Sequence, residues 1–233
     1  MFLNKKVIAI IPAKHRSHEL PKKNYLKLNN KSLFEISIIS ALQSHFIDQV
    51  YVTSDSKIIL EKSKNIGANI IKRSKNLCSK KSTANQVIKD VIDKIKKENN
   101  KDYYIIYLQP TSPFRNHLHI NKAFNLLKKN KLKSIVSVEK NLKTIYKNIK
   151  IQSNIIRPIF NKKFINANRQ ELPETYITNG AIYIFLVTEF LKKNKIPVFN
   201  SLAYKMSGNV SADIDSLMDY NYANKMSKKF LIY

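Results

Sequence analysis

Apolar positions along this chain fall into short unbroken blocks separated by stretches of helical spacing. Val7 to Ile11 is a run rich in branched residues closed by Pro12, the pattern of a parallel strand buried on both faces that ends at a loop. Leu33, Ile36, Ile39, Leu42 and Phe46 then recur at helical spacing, and Gln49 to Thr53 predicts a second strand ending at Ser54 and Asp55. The alternation continues with a helix near Ser56 to Ile66, a strand at Asn69 to Lys72, a helix near Thr83 to Lys97 and a strand at Tyr103 to Leu108. A helix from about Ile120 to Lys129 and a strand at Ser134 to Val138 follow. Strands separated by helices of these lengths predict an α/β fold with a mostly parallel sheet covered on both faces, hence three layers.

From about Glu139 to Thr178 the period weakens, and Pro158 and Pro173 interrupt it. Regularity returns with Ala181 to Phe185, a strand near Pro197 to Lys205 and a helix from about Ser216 to Lys229. No repeat or linker divides the chain, so the reading is one domain over 1–233 with an inserted lobe at about 139–178. A chain of 233 residues suffices for one such core. No apolar run approaches the ~20 residues of a membrane span, and MFLNKK passes into VIAII without a signal-peptide pattern. The expected compartment is the cytoplasm.

Charge alters this picture less than its size suggests. Forty-two Lys and Arg against sixteen Asp and Glu give a formal charge of +26, which ordinarily suggests nucleic acid or an anionic membrane surface as partner. The excess is mostly Lys spread among Asn and Ile, as a compositional bias produces. There is no Arg stripe with interleaved aromatics, helix-turn-helix or zinc pattern. Neither nucleic acid nor membrane is therefore expected as a partner, although a positive field still concentrates polyanionic nucleotides. Cys78 is the single cysteine, which excludes an intramolecular disulfide and a multi-cysteine metal site; it is expected to be a small buried residue.

Four segments carry candidate chemistry. The loop Pro12 to Asn24 leaves the first strand at the carboxyl edge of the sheet, where open parallel sheets bind ligands. Its Lys14, Arg16, Lys22 and Lys23 can hold phosphates, with Ser17 and backbone N–H groups adding donors; the alternative is a solvated basic loop. Leu108 to Arg115 is stiffened by Pro110 and Pro113 and presents Gln109, Thr111, Ser112 and Arg115 at the same edge, or simply caps the next helix. Asn179 and Gly180 form a third loop, where glycine permits close approach or a positive φ. In the fourth, Asp213 and Asp215 stand at i and i+2 and share one side of an extended segment. Two such carboxylates repel unless a cation lies between them, so a hard divalent ion is inferred; alternatively Asp215 caps the last helix and Asp213 is solvated.

Taken in order, IPAKHRSHELPKKN, VTSD, KRSKNL, QPTSPFR, RQELP, NGAIYIF and DIDSLMD resemble the CMP-N-acylneuraminate synthetase (acylneuraminate cytidylyltransferase) family. The resemblance covers nearly the whole chain. It implies a Rossmann-like nucleotide-diphospho-sugar-transferase fold, CTP as donor, Mg²⁺ (or Mn²⁺) as cofactor, a sialic-acid-like nonulosonic acid as acceptor and a homodimer formed through the inserted lobe. It also implies roles: Lys23 at the α-phosphate, Lys14 and Ser17 at the β- and γ-phosphates, and Asn24 and Arg73 near the cytidine. Asp213 and Asp215 would hold the metal, and Gln109, Arg169, Gln170, Asn179, Gly180 and Ala181 would line the sugar site.

Departures from the family pattern fall inside the motifs. Lys14 stands where Arg is common and keeps the charge without the bidentate fork. His18 and Glu19 replace Lys and Gly beside the expected polyanion, and Ile177 occupies a place where an Arg could pair with a sugar carboxylate. These changes leave open a relative of altered specificity, or one that binds nucleotide sugars without catalysis.

Overall fold

The computed structural model describes residues 1–17, 19–79, 81–95, 102–141 and 145–231. The main sheet is built from β1 (Val7–Pro12), β4 (Gln49–Ser54), β5 (Asn69–Lys72), β6 (Tyr104–Tyr107), β7 (Ser134–Lys140), β10 (Tyr176–Leu186) and β11 (Leu202–Lys205). Two-residue strands β2 (Lys27–Leu28) and β3 (Lys31–Ser32) pair with each other, as do β8 (Ile149–Gln152) and β9 (Ile155–Pro158). The order across the main sheet is β11-β7-β10-β6-β1-β4-β5. Its β1, β4, β5 and β6 run parallel, as does the pair β7 and β11, while β10 is antiparallel to both β6 and β7.

The apolar run of β1 is split by the pleat between two faces. Val7, Ala9 and Ile11 join Phe34 and Ile38 of α1 (Leu33–Leu42), Ile59 of α2 (Lys57–Asn65), and Ile120, Phe124 and Leu127 of α4 (His117–Asn130). Ile8 and Ile10 face the other side, against Ile88, Val91 and Ile92 of α3 (Ala84–Ile95) and Phe190 of α5 (Val187–Leu191). Helices on both faces of the sheet give the three layers that the alternation predicts. A third, smaller cluster seats α6 (Leu217–Phe230) through Ala223 against Leu20, Leu28, Leu33, Phe114 and Ile214, behind the loops that leave the sheet.

Several boundaries differ from the sequence reading. Helix α1 stops at Leu42, and Phe46 reaches the core from a turn, edge-on to Phe2 and tilted against Phe124. Helix α4 begins earlier, at His117, because Asn116 accepts from the backbone N–H groups of Leu118 and His119. Strand β11 is only Leu202–Lys205, since Pro197 to Ser201 form a turn. Strand β10 starts at Tyr176, five residues before the predicted Ala181, with a register shift between Thr178 and Tyr183. Lys96 and Lys97, the predicted end of α3, lie outside the described residues.

Candidate active site

The loop after β1 is held from several sides. The backbone N–H of His15 donates to Asp55 Oδ1 at 2.7 Å, so the aspartate that follows β4 anchors it. His15 Nδ1 contacts Tyr25 Oη at 2.8 Å, Tyr25 Oη contacts Ser56 Oγ at 2.7 Å, and Asn24 Nδ2 donates to the carbonyl of Lys14 at 2.8 Å. Lys22, in the left-handed region at φ 52°, turns the chain into a short 3-10 segment, Lys23–Tyr25. Lys23 and Asn24 are both buried, so this part of the loop is not the solvated basic stretch of the alternative reading.

Lys23 Nζ donates to Asp215 Oδ1 at 2.6 Å, with the Lys23 side chain 11% exposed and that of Asp215 58%. Asp215 does not cap α6. That role falls to Ser216, whose hydroxyl accepts from the Asp219 N–H while Asp219 reaches back to Ser216. Nor is Asp213 simply solvated. The Ile214 N–H donates to the Thr111 carbonyl at 2.9 Å, stapling this segment to the loop after β6, and Asp213 Oδ1 is a buried acceptor without a donor. Burial raises the Asp213 pKa, the neighbouring Asp215 adds to this, and a hydrogen bond with Thr111 and the charge of Lys23 oppose it.

A cavity of about 250 Å³ at the carboxyl edge of the sheet is lined by Lys14, Lys23, Asn24, Arg73, Gln109, Asp213 and Asp215. Four separate segments of the sequence thus meet in one place. Arg73 is buried, its Nη2 donating to the Thr53 carbonyl at 2.8 Å, and desolvation lowers its pKa. Gly180 packs against Gln109 and Asp213. Its φ is +74°, which favours glycine, and a Cβ there would lie 3.0 Å from Gln109 Oε1 and 3.5 Å from Asp213 Oδ2, so a larger residue would strain the backbone and displace the Gln109 side chain. Ala181 is fully buried beside it.

The side chain of Asn179 is turned inward. It accepts from Ser137 Oγ at 2.6 Å and donates to Ser211 Oγ at 2.9 Å, which ties β7, β10 and the 211–215 segment together behind the cavity. Arg115 also supports from behind, fully buried and donating to Ser37 Oγ at 2.9 Å and to the Gln109 carbonyl at 3.3 Å; burial lowers its pKa to about 9. Ser17 is half-buried and is not part of the cavity lining. Arg169 and Gln170 are exposed on a short turn, Arg169–Glu171, of the 139–178 segment and also lie outside the lining. Glu19 is exposed, and His18 falls outside the described residues.

Sequence reasoning missed the opposite wall: Leu77, Ser79, Ser82, Thr83, Ala84, Val87 and Tyr107. The available signal was the Ser- and Thr-rich stretch between β5 and α3, which reads equally well as an ordinary loop. Cys78, expected to be buried, is half-exposed in that stretch. Among the described residues no group of three or more His, Cys, Asp or Glu is suited to hold a metal. The cavity therefore combines three cations, a hydroxyl-rich wall and two carboxylates, a set suited to a polyanion bearing a small polar head.

Residues 8–207 match the family described as Cytidylyltransferase. The chain is similar to the N-acylneuraminate cytidylyltransferase of Escherichia coli O18:K1:H7, with 34% identity over 234 residues, covering 96% of this chain and 52% of that protein. It thus spans about half the length of that relative. It is also similar to the CMP-N,N'-diacetyllegionaminic acid synthase of Legionella pneumophila, with 32% identity over 231 residues, covering 95% of this chain and 96% of that one. Among solved structures, a CMP:2-keto-3-deoxy-manno-octonic acid synthetase complexed with CTP matches with a TM-score of 0.70 at 14% identity, covering 97% of this chain and 100% of that one. This last likeness is one of fold.

Proposed function

The chain belongs to the cytidylyltransferase family, and from that membership and the chemistry of the cavity we propose that it transfers CMP from CTP to the anomeric hydroxyl of a nonulosonic acid. The hydroxyl oxygen attacks the α-phosphorus, the bond from that phosphorus to the bridging oxygen of the β-phosphate breaks, and pyrophosphate and the hydroxyl proton are released. The observation that carries this reading is the meeting of Lys14, Lys23 and Arg73 with Asp213 and Asp215 around one cavity.

No covalent intermediate on the protein is needed, so the residues act by position and charge. Lys23 faces the α-phosphate and offsets charge on its oxygens, an effect that is strong where water is scarce. Lys14 and Ser17 hold the β- and γ-phosphates, and Arg73 and Asn24 orient the cytidine. Gln109, Arg169, Gln170 and the Asn179 to Ala181 loop serve the acceptor, with Asn179 shaping the loop through Ser137 and Ser211.

Asp213 and Asp215 fit Mg²⁺ (or Mn²⁺). The donor-less Asp213 Oδ1 and the Asp215 carboxylate are hard oxygen ligands, and Mg²⁺ is commonly held by one or two carboxylates together with substrate phosphates and water. Such an ion supplies neutralisation of phosphoryl charge.

A homodimer through the inserted lobe is part of the reading. Support comes from the β8–β9 hairpin, whose register partners Ile151 and Ile156 are 71% and 64% exposed. An apolar pair so open to water points to a covering surface.

The test is pyrophosphate release with CTP, Mg²⁺ and a panel of nonulosonic acids. CTP-dependent release with at least one acceptor is expected. Saturable CTP binding without release with any acceptor overturns the enzymatic reading and selects the non-catalytic one.

A further inference from the structure

A second groove, of about 540 Å³, lies at the opposite end of the sheet. It is lined by Lys131 and Lys133 before β7 and by Lys192, Lys193 and Lys195 after α5, with the turn Pro197 to Asn200 as its apolar wall. Glu189, which bonds Lys133 at 3.4 Å and Lys192 at 2.9 Å, is the only acid in this lining. From this end, β7 runs about 17 Å from Ser134, at ~3.3 Å per residue, to Glu139 near the candidate active site.

Total charge says little about partners in so Lys-rich a chain, and the sequence reading set a membrane aside on that ground. The placement of apolar residues is a separate observation from total charge. Phe199 is 93% exposed, more than any other large apolar side chain among the described residues, and Leu132 and Val198, which line the groove with it, are exposed too. The turn that carries Phe199 is pinned: Val198 N–H donates to the Ile196 carbonyl at 2.9 Å, Ile196 N–H to Asn85 Oδ1 at 3.0 Å, and Ser201 Oγ meets Ser134 Oγ at 2.6 Å. An aromatic ring held out in water amid lysines matches the two requirements of an anionic bilayer surface, a ring for the interface and cations for the headgroups.

We propose that this end of the molecule docks on an anionic phospholipid bilayer, with Phe199 entering the interface and Lys131, Lys133, Lys192, Lys193 and Lys195 facing the headgroups. The candidate active site then opens to water on the far side.

The experiment is co-sedimentation of the full chain with vesicles of phosphatidylcholine alone or containing phosphatidylglycerol, at low and raised salt. Binding is expected only with phosphatidylglycerol and should fall with salt. The triple variant Lys192→Gln, Lys193→Gln, Lys195→Gln should weaken it on the order of a hundredfold, since each lysine near such a surface contributes about fivefold. Phe199→Ser should weaken it by roughly tenfold. Circular dichroism and thermal melting should be unchanged in both variants. The control Lys62→Gln, Lys64→Gln, Lys225→Gln removes the same charge elsewhere and should retain binding. The proposal is overturned by absence of binding to phosphatidylglycerol vesicles, by equal loss in the control, or by an inert Phe199→Ser. A concentration-dependent mass increase that Phe199→Ser abolishes would assign the surface to a second copy of the chain instead.

Discussion

Replacing Lys23 with Met separates two roles that the structure gives one side chain. Met keeps an unbranched stem of similar length in the buried 3-10 segment while deleting the ammonium that meets Asp215 at 2.6 Å. Asp215 is 58% exposed, so once unpaired it is solvated rather than stranded. An ion pair of this kind contributes about 0.2–1 kcal/mol, and in a domain of this size ~1 kcal/mol moves the melting temperature by about 2–4 °C. The same ammonium at a phosphoryl oxygen in the transition state is worth about 3–4 kcal/mol, or 10²–10³ in turnover. Lys23→Met should therefore melt within about 4 °C of the parent and release pyrophosphate on the order of 10²-fold more slowly at saturating CTP. Thermal melting and initial rates over a CTP series read the two effects separately. A rate within about fivefold of the parent, some 1 kcal/mol, would refute the assignment of Lys23 to the α-phosphate. A melting loss above about 10 °C, several kcal/mol at this size, would show that the ion pair serves the fold instead.

Gly180→Ala should cost about 1 kcal/mol for its left-handed backbone and push Gln109 aside. The KM for the acceptor should then rise while that for CTP holds, and parallel changes in both would count against placing Gln109 at the sugar. Asp213→Asn should abolish pyrophosphate release yet raise the melting temperature at pH 7. The folded-state pKa of Asp213 is raised, so its ionisation weakens the fold as pH climbs from the ordinary carboxylate value; below about pH 4 the parent and variant should converge. His119, in the capping box of α4, has its pKa lowered to about 4, first by burial and then by Lys122, Arg115 and His117. A depressed histidine stabilises the neutral form, so its contribution is complete above pH 6.5 and is lost as pH falls toward 4. His119→Gln should flatten that acid limb in a pH series of melts, and an unchanged slope would contradict it. Ile151→Ser with Ile156→Ser, both on exposed hairpin positions, should halve the mass seen by sedimentation without lowering the melting temperature; a parent that sediments as a monomer would end the dimer reading.

Most of the parallel half was legible because its central strands β1 and β6 are continuous apolar runs. Where burial did not require regular backbone, the sequence misled. Phe46 keeps the helical spacing of Leu33 to Leu42 but packs from a turn, since a large ring can reach a core from any backbone that brings it near. The first half of β10 was hidden because Thr178, Asn179 and Gly180 break the apolar pattern: Asn179 bonds Ser137 and Ser211, and Gly180 packs against Gln109 and Asp213. Its antiparallel direction is decided by β6 and β7 together and leaves no local mark. At the site, the charged residues were readable from their loops, as was the pairing of Asp213 with Asp215. The burial of Lys23 was not, because it depends on α6 and the 211–215 segment folding over a loop nearly two hundred residues earlier. Ser79, Ser82 and Thr83 carried too little chemical signature to be recognised as a wall.

Tyr176 at the start of β10 is the register partner of Lys140 at the end of β7. Everything between them therefore departs from and returns to one rung of the ladder, a geometry that makes the excursion a cassette. Its length and sequence can change without altering any pairing of the main sheet, because exposed excursions with adjacent ends tolerate replacement. Grafting residues 141–175 from a relative with another acceptor onto this scaffold would exchange the lobe while leaving the Lys14, Lys23 and Arg73 half of the cavity in place. The lobe and the Lys14, Lys23 and Arg73 part of the cavity are thus separable units of the chain.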